Sequence, residues 1–389
     1  MTTAIVQDSR STTKSYAQFN EALAQAHSRW ATRKPLLLEL LDSKPLLLFG
    51  FGGKGQTLAH QIRQITGHPV TVFDSSEKKR DLAHAQGFAT VNSLTPQTAG
   101  EWTVILASGQ VQLEQRDTVK RNYVFHQEVA NLLKVPALEN LHNEYEDFVL
   151  ANSEALYKVY TGLHPESQAR FLAVQCFRLS GNPEELQHHR QPMQDMWLDL
   201  PTRFRTRAYH SFLDVGAYDG DTLRDFQERF DCQRGIAVEA NPELFPVINA
   251  VATRYPKGIQ IMPVAAWSKK TRLCFDDVRF GMIQVTESVD GQLEAAPIDD
   301  YVAESIDCLK MDIEGAEAHA LNGSAALLRA HRPDLAVAAY HKPGDQVDLY
   351  RHIKDLGYAD RDFDWHFGHY SDCIDDSIFY VLRKAATTV

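Results

Sequence analysis

Phe212–Asp221 reads FLDVGAYDGD, and a second apolar run ending in an acid follows it as GIAVEANPE (Gly235–Glu243). Phe212, Leu213 and Val215 have the pattern of a buried strand. Gly216 and Gly220 supply a tight turn, and Asp221, Thr222, Leu223 and Phe226 open a helix. A second strand ends at Glu239. Strand, glycine turn, helix and acid-ended strand make a nucleotide-cofactor half-site: glycines admit backbone N–H groups to the ligand, the helix N-terminus favours an anionic group, and the distal carboxylate accepts ribose hydroxyls. The spacing suits a nicotinamide cofactor and S-adenosylmethionine (SAM) equally.

The chain of 389 residues can hold two domains with full cores, with three as an upper bound. Its 44% apolar and 23% charged residues are those of a soluble globular protein. A net charge of −11 argues against sequence-independent nucleic-acid binding, which needs many Lys and Arg to displace counterions. MTTAIVQDSRSTTK at the start has no signal-peptide apolar stretch, and no run approaches membrane-spanning length. Cys176, Cys232, Cys274, Cys308 and Cys373 are scattered without CxxC pairs, which suits reduced thiols. The expectation is a cytoplasmic, soluble protein with no membrane or nucleic-acid partner.

Around this centre the chain alternates. Residues Ser15–Ser43 show helical spacing with a break expected at Pro35. PLLLFGFGGKG (Pro45–Gly55) then runs a strand into a literal GxGxxG at Gly50, Gly52 and Gly55, and PVTVFDSS ends a strand at Asp74. Short strands are expected at Ala89–Val91 and Thr103–Leu106. Residues 1–109 thus read as a small N-terminal Rossmann-like domain, 110–205 as a helical connector or cap, and 206–389 as a second α/β domain.

Beyond Glu239 the pattern gives helix Leu244–Thr253, strand Gln260–Val264, a β-hairpin insertion and strand Ile306–Met311. Helix Ala316–Ala330, strand Asp334–Tyr340 and helix Val347–Leu356 follow, then strands Phe363–Gly368 and Ser377–Leu382. The link between the last two is too short for a crossover helix, so the last strand runs antiparallel to its neighbour. A mostly parallel Rossmann-like sheet closed this way is the class I methyltransferase variant of the fold, which turns the cofactor expectation toward SAM.

These residues resemble the FkbM family of SAM-dependent methyltransferases. The likeness rests on a DVGAxxGD turn (Asp214–Asp221), an EPNP-like acidic strand end (EANP, Glu239–Pro242, with Ala240 in place of proline) and a block close to LKxDxEGxE. In that block Lys310, Asp312, Glu314, Gly315 and Glu317 stand at the characteristic positions. PVAAW (Pro263–Trp267), YHKPGD (Tyr340–Asp345) and the helical leader ESQARFLAVQCFRLSGN (Glu166–Asn182) are similar to recurrent pieces of the family. The likeness covers about 168–382 and leaves the GxGxxG unit outside.

The resemblance implies methyl transfer, an in-line displacement at carbon whose sulfonium leaving group needs no acid. The protein must align the acceptor, exclude water and remove the hydroxyl proton. Cofactor contacts are expected from Asp214, Gly216, Ala217, Gly220, Asp221, Glu239, Ala240, Asn241, Val264 and Ala265. Glu239 would take the ribose hydroxyls. Asp312 and His341, at the ends of neighbouring strands, are the candidate catalytic pair, with His341 as base and Asp312 orienting it or binding the acceptor. No residue is assigned as a metal ligand. Glu314 and Glu317 suit a helix N-terminus without further function, although Asp312 and Glu314, with His341, could hold a divalent ion such as Mg²⁺. GHYSDCIDDS (Gly368–Ser377) could wall the acceptor pocket.

The expected activity is O-methylation of a hydroxyl on a sugar, glycan or secondary metabolite, with a small-molecule or glycan partner. The alternatives are an NAD-dependent dehydrogenase or epimerase using the first fingerprint, and a non-catalytic SAM- or nucleotide-binding module. Gly50, Gly52, Gly55 and Asp74 could bind a nucleotide or sugar-nucleotide, or serve only to make the turn.

Overall fold

The computed structural model describes residues 13–108, 112–133, 143–197, 208–279 and 282–384. The first helix, α1 (Tyr16–Ser43), starts on a capping box: Ser15 accepts from the Gln18 N–H and Gln18 returns an acceptor to the Ser15 N–H. It does not break at Pro35. Trp30 lies before the proline and Leu37 and Leu41 after it, all buried on one side, and their packing outweighs the lost backbone hydrogen bond.

The first sheet comprises β1 (Leu46–Phe49), β2 (Val70–Phe73), β3 (Ala89–Thr90), β4 (Thr103–Leu106) and β5 (Tyr123–Phe125), all parallel in the order β3-β2-β1-β4-β5. Helices α2 (Gly53–Thr66), α3 (Glu77–Ala85), α4 (Gln112–Val119) and α5 (His126–Leu133) complete the unit. Strand β5 comes from a stretch whose pattern reads as helical, because three residues are too few to show a period of two. Helices α6 (Asn143–Ala151), α7 (Ser153–Gly162) and α8 (Pro165–Ser180) follow, and α8, buried along most of its length, packs on α1.

The second α/β unit contains β6 (Ser211–Val215), α9 (Asp221–Phe230), β7 (Arg234–Val238), α10 (Phe245–Ala252) and β8 (Ile259–Met262). An inserted four-stranded sheet, ordered β11-β10-β12-β9, is made of β9 (Ala265–Ala266), β10 (Thr271–Arg279), β11 (Met282–Glu287) and β12 (Leu293–Ala296). The chain then forms β13 (Cys308–Met311), α11 (Glu317–Gly323), α12 (Ala325–His331), β14 (Asp334–Ala338), α13 (Asp345–Asp355), β15 (Phe363–His369) and β16 (Ser377–Arg383).

The main sheet has the order β15-β16-β14-β13-β6-β7-β8, and β16 runs antiparallel to both its neighbours, as the short link requires. The helix expected over 316–330 is two helices. A Cβ on Gly323 would lie 1.9 Å from the Trp267 carbonyl oxygen, so the chain passes here at backbone contact and the helix restarts at Ser324.

The 370–376 link joins the two units. Asp372 accepts from the Leu113 N–H at 2.9 Å, its carbonyl accepts from Gln112 at 3.0 Å, and Asp375 pairs with Lys54. Lys54 and Leu113 lie in the first turns of helices that follow β1 and β4, while the link follows β15. The carboxyl edges of both sheets therefore face the same loop.

Candidate active site

A cavity of about 740 Å³ opens over the carboxyl ends of β6, β7 and β13, roofed by Trp197 and by Leu273 and Leu293 of the inserted sheet. Its floor follows from glycine chemistry. Gly216 has φ +80°, and a Cβ there would lie 2.0 Å from the Asp312 carbonyl oxygen, so only glycine lets the turn cross the end of β13. Gly220, also left-handed, opens α9.

Both oxygens of Glu239 are oriented by backbone, one accepting from the Tyr218 N–H at 2.9 Å and the other from the Asn241 N–H at 2.8 Å. Beneath the turn, Asp214 is fully buried, and Lys310 Nζ sits 3.0 Å from its carboxylate while donating to the Gly216 carbonyl at 2.6 Å. Burial pushes the Asp214 carboxyl up to about 6 against the pull of Lys310.

Of the residues expected to hold cofactor, Gly216, Asp221, Glu239, Ala240, Asn241, Val264 and Ala265 line this cavity. Asp214 and Ala217 are buried behind the wall, where Asp214 secures Lys310 and the Ala217 N–H bonds the Val238 carbonyl; Gly220 is buried at the start of α9. Tyr218, Thr222, Trp197 and Lys310 also line it, and no role was expected of them. A lysine in the otherwise apolar run Cys308–Met311 was the available signal for Lys310. Trp197 comes from a distant segment and carries none.

The candidate catalytic pair does come together. His341 Nε2 lies 3.4 Å from Asp312 Oδ1 and 3.6 Å from Glu314 Oε2, while Nδ1 faces Glu317 Oε1 at 3.1 Å, off the hydrogen-bonding line. Glu317, buried at the start of α11, accepts from the Ile313 and Gly315 N–H groups at 3.0 and 3.3 Å. Tyr340 donates to Asp312 at 3.2 Å. Burial opposes a charge on His341, but Glu317, then Asp312 and Glu314, outweigh it and raise its pKa to about 10. Asp312 and Glu314 line the cavity, so this cluster adjoins the cofactor space.

The first glycine turn is built on the same plan. Gly50 has φ +108°, a Cβ on Gly55 would lie 2.1 Å from the Gly50 carbonyl, and Asp74 accepts from the Phe51 and Ser76 N–H groups at 2.8 and 2.9 Å. Lys54, within this turn, was not singled out by the sequence.

Residues 214–359 match the family model of the methyltransferase FkbM domain. Curated protein sequences give no match. Among solved structures, methyltransferase FkbM from Methylobacillus flagellatus KT is similar with a TM-score of 0.71 at 18% identity, covering 94% of this chain and 100% of that one. Its fold extends over the first sheet as well as the second. Ribosomal protein L11 methylase from Lactobacillus delbrueckii subsp. bulgaricus gives a TM-score of 0.30 at 10% identity, over 47% of this chain and 74% of that one. Fibrillarin from Aeropyrum pernix, in complex with natively bound SAM, gives 0.29 at 14% identity, over 45% and 67%. Over 214–359 the chain is thus similar to the methyltransferase FkbM domain, the fold is that of the Methylobacillus flagellatus protein, and the chain is a SAM-dependent methyltransferase.

Proposed function

We propose that this methyltransferase acts on a hydroxyl group of a sugar, glycan or other hydroxylated metabolite. The observation that supports the reading best is the Asp312–His341 pair beside the cofactor cavity, at the ends of neighbouring strands β13 and β14. In this reading Glu239 holds the ribose hydroxyls, Gly216 and Asp221 face the methionine end, and Val264 and Ala265 flank adenine. SAM, when bound, supplies the methyl group. Trp197, Leu273 and Leu293 shield it from water, and the hydroxyl lies against Asp312.

The carbon–sulfur bonding pair would stay with the departing S-adenosylhomocysteine as the acceptor oxygen takes the methyl group, and the Asp312 carboxylate would receive the hydroxyl proton. Tyr340 and His341 hold that carboxylate in place. The test is calorimetric titration with SAM and S-adenosylhomocysteine, followed by a screen of hydroxylated acceptors with labelled SAM. Label transfer to an oxygen, lost in Asp312→Asn while SAM still binds, is expected. Transfer only to nitrogen or carbon acceptors would overturn the hydroxyl assignment.

A further inference from the structure

We propose that His164, Glu166 and His366 form a site for a tetrahedral zinc ion that fastens the start of α8 to the edge strand of the main sheet.

The fold brings the three together. Strand β15 ends the sheet order, so its outer backbone groups have no partner strand. The first turns of α8 serve them instead. The His164 N–H donates to the Trp365 carbonyl at 2.7 Å, Ser167 Oγ accepts from the Phe367 N–H at 3.0 Å, and Arg170 donates to the Phe367 carbonyl at 2.7 Å. His366 lies between the two strand residues held in this way, opposite His164 and Glu166 at the helix start.

The first observation is spacing. One donor atom from each of His164, Glu166 and His366 lies within 4.8 Å of the other two. His164 Nδ1 stands 3.6 Å from Glu166 Oε2, and ligands about 2.05 Å from a tetrahedral ion lie about 3.3 Å apart. The two imidazole centroids are 4.6 Å apart. Rings bound to one ion through a nitrogen each place their centroids about 4.5–5.2 Å apart, for angles of about 90–110° at the metal.

The second observation is an orphaned atom. His164 Nδ1 is buried and, among the described residues, has no hydrogen bond; its separation from Glu166 exceeds the about 2.7–2.9 Å of a charge-assisted one. This nitrogen faces Glu166, so it is directed into the group. Gln168, one turn along α8 and 2% exposed, donates to the Leu163 carbonyl at 3.2 Å and leaves its own Oε1 without a partner. That oxygen is an acceptor for a water in the fourth position of the ion.

Two imidazoles with one carboxylate suit Zn²⁺ above Mg²⁺ or Ca²⁺, which favour oxygen ligands. The positive end of α8 opposes a cation but favours the Glu166 carboxylate, so the ion is held together with that charge. None of the three ligands lines the cofactor cavity, which makes the role structural.

The test uses the full chain, prepared without a histidine tag and treated with chelator. It is titrated calorimetrically with Zn²⁺, and with Co²⁺, whose four-coordinate complexes absorb visible light. One Zn²⁺ per chain is expected, displacing the Co²⁺ band. At about a hundredfold excess over Kd the melting temperature should rise by about 3 °C. His164→Gln and Glu166→Gln, the latter at an exposed side chain whose loss leaves the fold intact, should each weaken binding by about tenfold or more. His68→Gln, at another histidine–acid pair (Asp42, 3.4 Å), should leave it unchanged. Absence of saturable Zn²⁺ binding, affinity unchanged in both ligand variants, or an equal loss in His68→Gln overturns the site. Binding without a rise in melting temperature overturns the fastening of α8 to β15.

Discussion

Lys310 carries a charge into a strand whose other residues, Cys308, Leu309 and Met311, are buried and apolar. It is tolerated because register sets it beside Asp214 on β6, where Nζ also holds the Gly216 carbonyl. Removing one member of a buried pair strands the other charge and costs about 3–5 kcal/mol. Lys310→Met should lower the urea midpoint accordingly, and the double variant with Asp214→Leu should lose much less than the sum of the two single changes. Additive losses would mean that the pair is not coupled. Glu239 differs, because its two backbone hydrogen bonds are exposed and the reading proposed above gives it the ribose to hold. Glu239→Ala should weaken SAM by about 2 kcal/mol, roughly thirty-fold, with little change in melting temperature; unchanged calorimetric affinity would remove it from the ribose site. Glu239 and Gly216 were legible because strand, turn and acid lie within one short stretch. The Lys310–Asp214 pair was not, since cross-strand register leaves no mark in local spacing. Glu317 was visible only as a helix-start acid, and its contact with His341 depends on the β14 loop folding over α11.

Among the elements, the antiparallel β16 was readable from length alone, because a short link cannot carry a crossover. Pro35, β5 and the division of α11 from α12 were not. Each is decided by packing: of Trp30 and Leu37 across the proline, of three residues against β4, and of Gly323 against Trp267. The β6–α9 turn shows how far an element depends on one such approach. Gly216→Ala would add about 1 kcal/mol or more of left-handed backbone strain and place a methyl 2.0 Å from the Asp312 carbonyl oxygen. The end of β13 must then move, displacing both the glycine-turn wall of the cavity and Asp312. The expected result is a lower melting temperature together with loss of SAM binding in the same titration. A variant that melts lower yet binds SAM normally would place the cofactor away from this turn.

At the scale of the whole molecule, the two sheets meet through the 370–376 link, and that meeting buries histidines that no surface role explains. His126 begins α5 of the first unit and His369 ends β15 of the second, and burial holds the pKa of each down to about 3. Lys54 and Asp375 lie near the first; Arg170, Arg178 and Asp375 lie near the second, whose Nδ1 pairs with the Ser377 hydroxyl at 2.9 Å. In the unfolded chain both would titrate near about 6.5. The folded values are depressed, so the unfolded chain binds more protons between the two values. Their contribution is therefore intact above about pH 6.5 and is lost as pH falls toward 3. Asp214 and Asp376, raised to about 6 and about 7 by burial, act in the opposite sense, so the net slope of the wild type does not isolate the histidines. A variant comparison does. His369→Gln lowers stability at pH 7.5 by whatever packing it loses, but it has no proton to gain in the unfolded state. Between pH 7.5 and pH 5 the wild type should lose about 2 kcal/mol that the variant keeps. The gap between their unfolding free energies, from urea titrations at the two pH values, should narrow by that amount. A gap independent of pH would mean that His369 takes up its proton at the same pH in the folded chain as in the unfolded one, with Asp375 offsetting burial at the junction of the two sheets.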